Sequence, residues 1–271
     1  MEILFCGTGA AEGFPALFCE CATCNAARSL SGKERRSRAA YMLGERVRID
    51  FGPDSNLHQY NYGLDFQKLE HLVMTHSHDD HWFPTDIGYR QKGFSSVNKS
   101  LQVWGNDKVE KRFTEEVGTD WNRYFLEFHR VTPFVAIDLG EGLRATPILA
   151  AHDRSEACLN YLLEMEGKRV LLGHDTGWWD AETWDFLNDK PINLLILDCT
   201  YGVRDHEKNH MGGMALIRFR EELKRRGAIA SGAKSVATHF SHNCGSNHEE
   251  LTAFFADHDF IAAYDGLKLS V

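Results

Sequence analysis

The chain has 271 residues, 43% hydrophobic and 25% charged, the composition of an ordinary globular protein able to bury a core without disulfides. Its formal net charge of −9 disfavours a broad footprint for long nucleic acid, and no apolar run approaches the ~20 residues a membrane span needs. Met1-Glu2-Ile3-Leu4-Phe5 starts directly as a strand with no basic leader, which points to a cytoplasmic protein. Seven cysteines are an odd number and three sit together, a pattern suited to metal binding rather than to a disulfide framework.

The first strand, Ile3-Leu4-Phe5-Cys6, runs into a glycine-rich turn over residues 7–13. Such a turn cradles a phosphate through backbone N–H groups or serves close packing, and it matches neither a dinucleotide fingerprint nor a P-loop. Cys19, Cys21 and Cys24 follow in a CxCxxC cluster, three thiols fit for a four-coordinate zinc site. The fourth ligand must come from elsewhere, and His242 and Cys244 in His239-Phe240-Ser241-His242-Asn243-Cys244 are both chemically sound. The basic run Lys33 to Arg38 reads first as a solvated turn, with steering of an anionic substrate as the alternative. Tyr41-Met42-Leu43 and Val47-Arg48-Ile49-Asp50 form a hairpin, with Asp50 at a strand end as a supporting or turn-forming carboxylate.

A strand over Leu69 to Met74 then enters Thr75-His76-Ser77-His78-Asp79-Asp80-His81. In extended chain His76 and His78 point the same way and can reach one metal ion. A change of direction afterwards turns Asp80 and His81 toward a second ion, and imidazole with carboxylate suits zinc, manganese or iron. The spacing predicts a helix over Trp82 to Arg90, a strand over Leu101 to Gly105 and a helix over Asp107 to Thr119. Strands follow over Phe125 to Val131 and Leu143 to Ala150, the latter ending in Ala151-His152-Asp153. A hairpin over Tyr161 to Gly173 ends in His174-Asp175, and a buried-type strand covers Asn193 to Asp198. An amphipathic helix over Gly213 to Arg226 and a strand over Lys234 to Thr238 lead into His239. No repeat or long linker divides the chain, so residues 1–271 are expected to form one α/β domain.

His76, His152, Asp175 and His239 each fall where an inferred strand ends, the place where open α/β sheets put their chemistry. HxHxDH followed by a His, an Asp and a His at successive strand ends resembles the metallo-β-lactamase superfamily, an αββα sandwich of two mixed sheets flanked by helices. The CxCxxC ahead of it resembles the PhnP-like group of cyclic phosphodiesterases. The resemblance implies that Cys19, Cys21, Cys24 and His242 hold a structural zinc. It implies two catalytic divalent ions, zinc, manganese or iron, one on His76, His78 and His152, the other on Asp80, His81 and His239, with Asp175 bridging. Asp80 is thereby both a ligand and part of the catalytic machinery, and a hydroxide shared by the ions attacks phosphorus. His210 matches a histidine placed over the leaving group, and His174 stands where relatives carry a small residue. The expected partner is a small, cyclic phosphodiester, with no membrane and with room for a homodimer. Alternatives are a tRNase Z-like endoribonuclease and a non-hydrolytic accessory protein of the PqqB type. Substrate choice is expected to rest on the loop over residues 88–100.

Overall fold

Alternation of side chains along the strands generates the architecture seen in the computed structural model, which describes residues 1–271. The first strands are β1 (Glu2–Gly7), β2 (Ala40–Leu43), β3 (Val47–Ile49), β4 (His71–Val73), β5 (Leu101–Gly105), β6 (Leu126–Arg130) and β7 (Ile137–Asp138). The remainder are β8 (Arg144–Leu149), β9 (Leu159–Met165), β10 (Lys168–Gly173), β11 (Ile192–Asp198), β12 (Ile229–Thr238), β13 (Phe260–Ala262) and β14 (Lys268–Ser270). They form two mixed seven-stranded sheets, ordered β14-β1-β2-β3-β4-β5-β6 and β13-β12-β11-β10-β9-β8-β7.

Successive residues of a strand face opposite ways, and here both faces of each sheet are apolar. In β1, Ile3 and Phe5 enter the layer between the sheets while Leu4 and Cys6 enter an outer layer. In β11, Leu194 and Ile196 face the same inner layer, whereas Leu195 and Leu197 face the helices on the far side. The helices are α1 (Ala22–Ser29), α2 (Ser55–Tyr62), α3 (Pro84–Ile87), α4 (Asp107–Glu116), α5 (Ala181–Phe186), α6 (Gly213–Arg225) and α7 (His248–Ala256). Val109 and Phe113 of α4 cover the first sheet, and Leu216, Phe219 and Leu223 of α6 cover the second. The result is the αββα sandwich that the motif order implies.

Several elements differ from the sequence reading for local reasons. The helix expected over 82–90 is a single turn, α3, followed by a 3₁₀ turn at Gly88–Arg90. Pro84 sets the helix start and disfavours helical backbone before it, while Phe83 N–H is taken by the Phe51 carbonyl at 2.8 Å. Helix α4 stops at Glu116, short of Gly118 with its positive φ of 149°. The basic run is not a solvated turn throughout. Arg36 is buried, donating to Thr8 Oγ1 at 2.9 Å and lying over the Phe240 ring at 4.5 Å. The glycine-rich turn serves close packing rather than an anion cradle. A Cβ on Gly7 would meet the Arg38 carbonyl oxygen at 2.0 Å, and the N–H groups of Thr8, Gly9 and Ala10 already donate to carbonyls.

The α6 layer supplies a direct test of the packing argument. Phe219 is fully buried, its ring 4.6 Å from that of Trp179 and 4.5 Å from that of Trp184. Phe219→Ala should cost about 3–5 kcal/mol by denaturant unfolding. A loss below about 1 kcal/mol would mean that this layer does not hold the helix to the sheet.

Candidate metal centres and active site

The loop after β4 is held in place before any ligand is considered. Thr75 donates from N and Oγ1 to the Asp50 carboxylate, and its carbonyl accepts Leu159 N–H of the second sheet at 2.9 Å. Ser77 N–H and hydroxyl donate to Glu156, and the His81 carbonyl accepts Phe51 N–H at 2.7 Å. A Cβ on Gly52 would meet the Asp80 carbonyl at 2.0 Å, so this crossing requires glycine. The short, polar segment thereby acquires the rigidity of both sheets.

The other candidate ligands lie just beyond strands of the second sheet: His152 after β8, Asp175 after β10 and His239 after β12. Asp50, Asp175 and His239 have φ of 59°, 57° and 61°, left-handed backbone that non-glycine residues adopt at a cost. Each lies at the strand end where the chain must turn its side chain into the site.

Two groups of side chains result. His76, His78, His152 and Asp175 converge on one point, and Asp80, His81, Asp175 and His239 on a second. His76 Nε2 lies 3.0 Å from His78 Nδ1 and 3.2 Å from Asp175 Oδ2. His81 Nε2 lies 3.0 Å from Asp80 Oδ2 and 2.9 Å from Asp175 Oδ2. Asp175 belongs to both groups, as a bridging carboxylate must. The buried atoms His81 Nε2, His239 Nε2 and Asp175 Oδ1 have no hydrogen-bond partner. Buried polar atoms are rarely left so, and atoms that converge without hydrogen bonding fit divalent ions with nitrogen and oxygen ligands.

Behind the ligands stand two more carboxylates. Asp50 faces His81 Nδ1 at 2.7 Å and His174 Nε2 at 2.9 Å. Asp198 faces His239 Nδ1 at 3.3 Å and His210 Nδ1 at 3.1 Å, and accepts Asp175 N–H. Such partners fix the orientation of a ligating ring and raise its basicity. Burial opposes ionisation of Asp50, but His81 and His174 outweigh it and hold the carboxyl well below the usual range. For Asp198 burial is likewise overcome by His210 and His239. Burial also disfavours a charged His81, yet Asp80, Asp50 and Asp175 push its pKa well above the ordinary value.

His174 therefore acts on Asp50 and is fully buried, away from the cavity. Asp50 has the supporting position that its strand end suggested. Asp198, Thr200 and Asp153 were not singled out in the sequence. Thr200 Oγ1 sits 2.8 Å from His239 Nδ1, and Asp153 Oδ2 3.2 Å from His78 Nε2. The available signal for Asp198 was a carboxylate closing an apolar strand, as Asp175 nearly does.

A cavity of about 480 Å³ opens onto these groups, lined by His78, Asp80, His152, Asp175, His210 and His239 on one side. Ala10, Ala11, Glu12, Tyr201, Ser241 and Asn243 form the rest of its rim with Thr200. Residues 88–100 do not reach it. They border cavities beside Gln59 and Phe66, because the preceding α3 packs Ile87 into the outer layer of the first sheet.

The cysteine cluster is also assembled. Cys19, Cys21, Cys24 and His242 place their ligand atoms within 4.8 Å of one another, with His242 Nδ1 3.6 Å from both Cys19 and Cys21 Sγ. Cys21 is the N-cap of α1 and accepts Cys24 N–H, which with the nearby His242 and Cys19 lowers its pKa to about 6 against a small burial cost. Cys244 is turned away, accepting Ser246 N–H at 3.4 Å.

Two outcomes follow from this geometry. Cys21→Ser should lower zinc content by about one ion per chain and reduce thermal stability, while the His/Asp groups keep their metals. Unchanged zinc and unchanged melting would remove the cysteine site. In the metal-free protein a raised pKa keeps His81 protonated near neutral pH, whereas a ligating ring must be neutral. Metal loading should therefore release a proton, and affinity should fall as pH falls. Calorimetric enthalpies independent of the buffer's ionisation heat would contradict it.

The comparisons with known proteins agree with the geometry. A family model described as a β-lactamase superfamily domain matches residues 45–240. A crystallised diphosphatase from the PhnP family has a similar structure, with TM-score 0.75 and 24% identity over 99% of this chain and 96% of that one. Zn(2+)-bound PqqB from Methylobacterium extorquens is similar with TM-score 0.74 and 16% identity, covering 100% of both chains. An octanoyltransferase of Porphyromonas gingivalis (strain ATCC BAA-308 / W83) is 31% identical over 85 residues. That match takes in 30% of this chain and only 16% of the length of the other protein. No helix is long and apolar enough to cross a membrane. With most of its length matched by the family model and both sheets in place, the chain belongs to the metallo-β-lactamase superfamily.

Proposed function

We propose that this protein is a dinuclear-metal-dependent hydrolase of small phosphodiesters, cyclic ones in particular. The observation that carries the reading is the position of His210 beside the two ligand groups. Its Nδ1 lies 3.1 Å from Asp198 and 3.2 Å from Asp175, and its ring lines the cavity with its centroid 4.8 Å from that of His152. Burial pulls its pKa down, but Asp198 and then Asp175 pull harder, to about 9. In the metal-free protein these carboxylates favour the charged ring, with Nδ1–H directed at a carboxylate and Nε2 taking no protein hydrogen bond. A charged imidazole at the mouth of a hydrolytic site suits proton donation to a poor leaving group.

His76, His78 and His152 would hold one ion and Asp80, His81 and His239 the other, with Asp175 between them. Two bound divalent ions of zinc, manganese or iron would supply an activated water and polarise the phosphoryl oxygens. The chain's own part is orientation and proton transfer. As water oxygen joins phosphorus, the ester P–O bond breaks and His210 gives its proton to the departing alkoxide. A positioned acid of this kind typically contributes ~10²–10⁴-fold. The cysteine site would carry a structural zinc that takes no part in turnover.

The partner in this reading is a small diester rather than long nucleic acid, consistent with the net charge of −9. A tRNase Z-like enzyme would cleave precursor tRNA faster than any small diester. A PqqB-type accessory protein using only the cysteine site would carry about one zinc per chain.

With an alkoxide leaving group, His210→Ala should lower kcat by on the order of 10²-fold or more. With p-nitrophenolate, which departs without protonation, the loss should be much smaller. Equal losses on both substrates would take His210 out of the proton transfer, since damage to the fold depresses both alike.

A further inference from the structure

Part of the segment over residues 88–100, which does not reach the catalytic cavity, lines a second one. This cavity encloses about 330 Å³ on the outer side of the first sheet and shares no lining residue with the catalytic cavity. Phe51, Phe66, Leu69, Ile87 and Leu101 give it apolar walls, all of them part of the outer layer or packed against it. A volume of this size with such walls suits a small molecule rather than a chain segment.

Two charged side chains line it, Asp86 on α3 and Arg90 about one turn later, and neither has a counter-ion. The Asp86 carboxylate takes no hydrogen bond and no ion pair, and burial pushes its pKa up with no neighbouring charge to oppose the shift. Arg90 donates from Nε to the Tyr124 carbonyl at 3.1 Å and from Nη2 to those of Lys99 and Phe125 at 3.1 and 3.2 Å, leaving Nη1 without a partner. Those carbonyls are neutral, and burial lowers the pKa of the guanidinium with no carboxylate to offset it. Charges in partly apolar surroundings are ordinarily paired. An apolar cavity holding one unpaired charge of each sign is complementary to a ligand that carries both.

We infer that this cavity is a second ligand site, separate from the metal centres, for a small zwitterion with an apolar body, an α-amino acid in chemical class. The ligand's ammonium group pairs with Asp86, its carboxylate with the free Nη1 of Arg90, and its side chain lies against Phe51, Phe66 and Ile87. A simple amine would leave Arg90 without a counter-ion, and a simple carboxylate would leave Asp86 so. The inference stands on this cavity and does not require the hydrolase reading.

The test is calorimetric titration of the metal-loaded protein with L-leucine and L-phenylalanine. Each is compared with its amide, which lacks the carboxylate, and its N-acetyl derivative, which lacks the ammonium group. At least one of the two amino acids should bind with a Kd below about 1 mM, and removing either charge should weaken binding roughly tenfold or more. Asp86→Asn should weaken the amino acid by a similar factor and leave the N-acetyl derivative unchanged. Because Asp86 has no partner to lose, the unliganded variant should melt with the parent, which separates the effect from damage to the fold. Binding of neither amino acid, or an amide or N-acetyl derivative bound as tightly as its parent, would overturn the inference. So would affinity unchanged by Asp86→Asn, the result that chelation at the metal centres would give. The derivative series uses the unaltered protein and decides the matter even where the variant is less stable.

Discussion

A buried carboxylate surrounded by imidazoles is the constraint on which this structure depends. Asp175 is 4% exposed, and His76, His81, His152, His210 and His239 all approach its two oxygens. Leaving such a charge uncompensated in the interior is costly, and so is leaving ligand atoms without partners. Each demand is met only if both sheets hold their strand ends in register. The first sheet brings Asp50 and the His76–His81 loop; the second brings His152, Asp175, Asp198 and His239. The apolar layer between the sheets is therefore part of the site, because slippage there would separate the two halves. Tyr161 makes the connection explicit, its side chain in the inner layer and its hydroxyl donating to the Met74 carbonyl at 2.8 Å.

Much of the frame was legible because it depends on short-range signals. Strands such as Asn193 to Asp198 declare themselves by an unbroken apolar run, and HxHxDH packs its ligands into one loop. What escaped depends on long-range packing. Arg36 lies in a run of charges and looks solvated, yet it is buried by Phe240 and Ala263, more than two hundred residues away. Asp198 has no motif around it; its role arises only when β11 lies between β10 and β12. The glycines of the first turn left an anion cradle open beside close packing, because the Arg38 carbonyl that crowds Gly7 cannot be seen in the sequence. Helix α7 is a different case. Its Asn247 and Glu250 form a capping box, a signal present in the sequence and passed over.

The segment from His239 to Cys244 explains why a cysteine cluster accompanies a hydrolytic site. His239 belongs to the second ligand group, and His242, three residues on, belongs to the cysteine group. Between them Phe240 exchanges backbone hydrogen bonds with Thr8 and Ala10, tying the glycine-rich turn to the same segment. The region over residues 14–27 buries an apolar cluster of only four residues, Phe14, Ala16, Cys24 and Ala27. So small a core cannot by itself fix a turn and a short helix against the rest of the protein. A metal ion on three thiolates and His242 would supply the missing constraint, since binding energy at such a site is folding energy. One wall of the catalytic cavity, with Glu12, Ser241 and Asn243, is built on that anchor. The shape of that wall then depends on the cysteine cluster as well as on the two sheets.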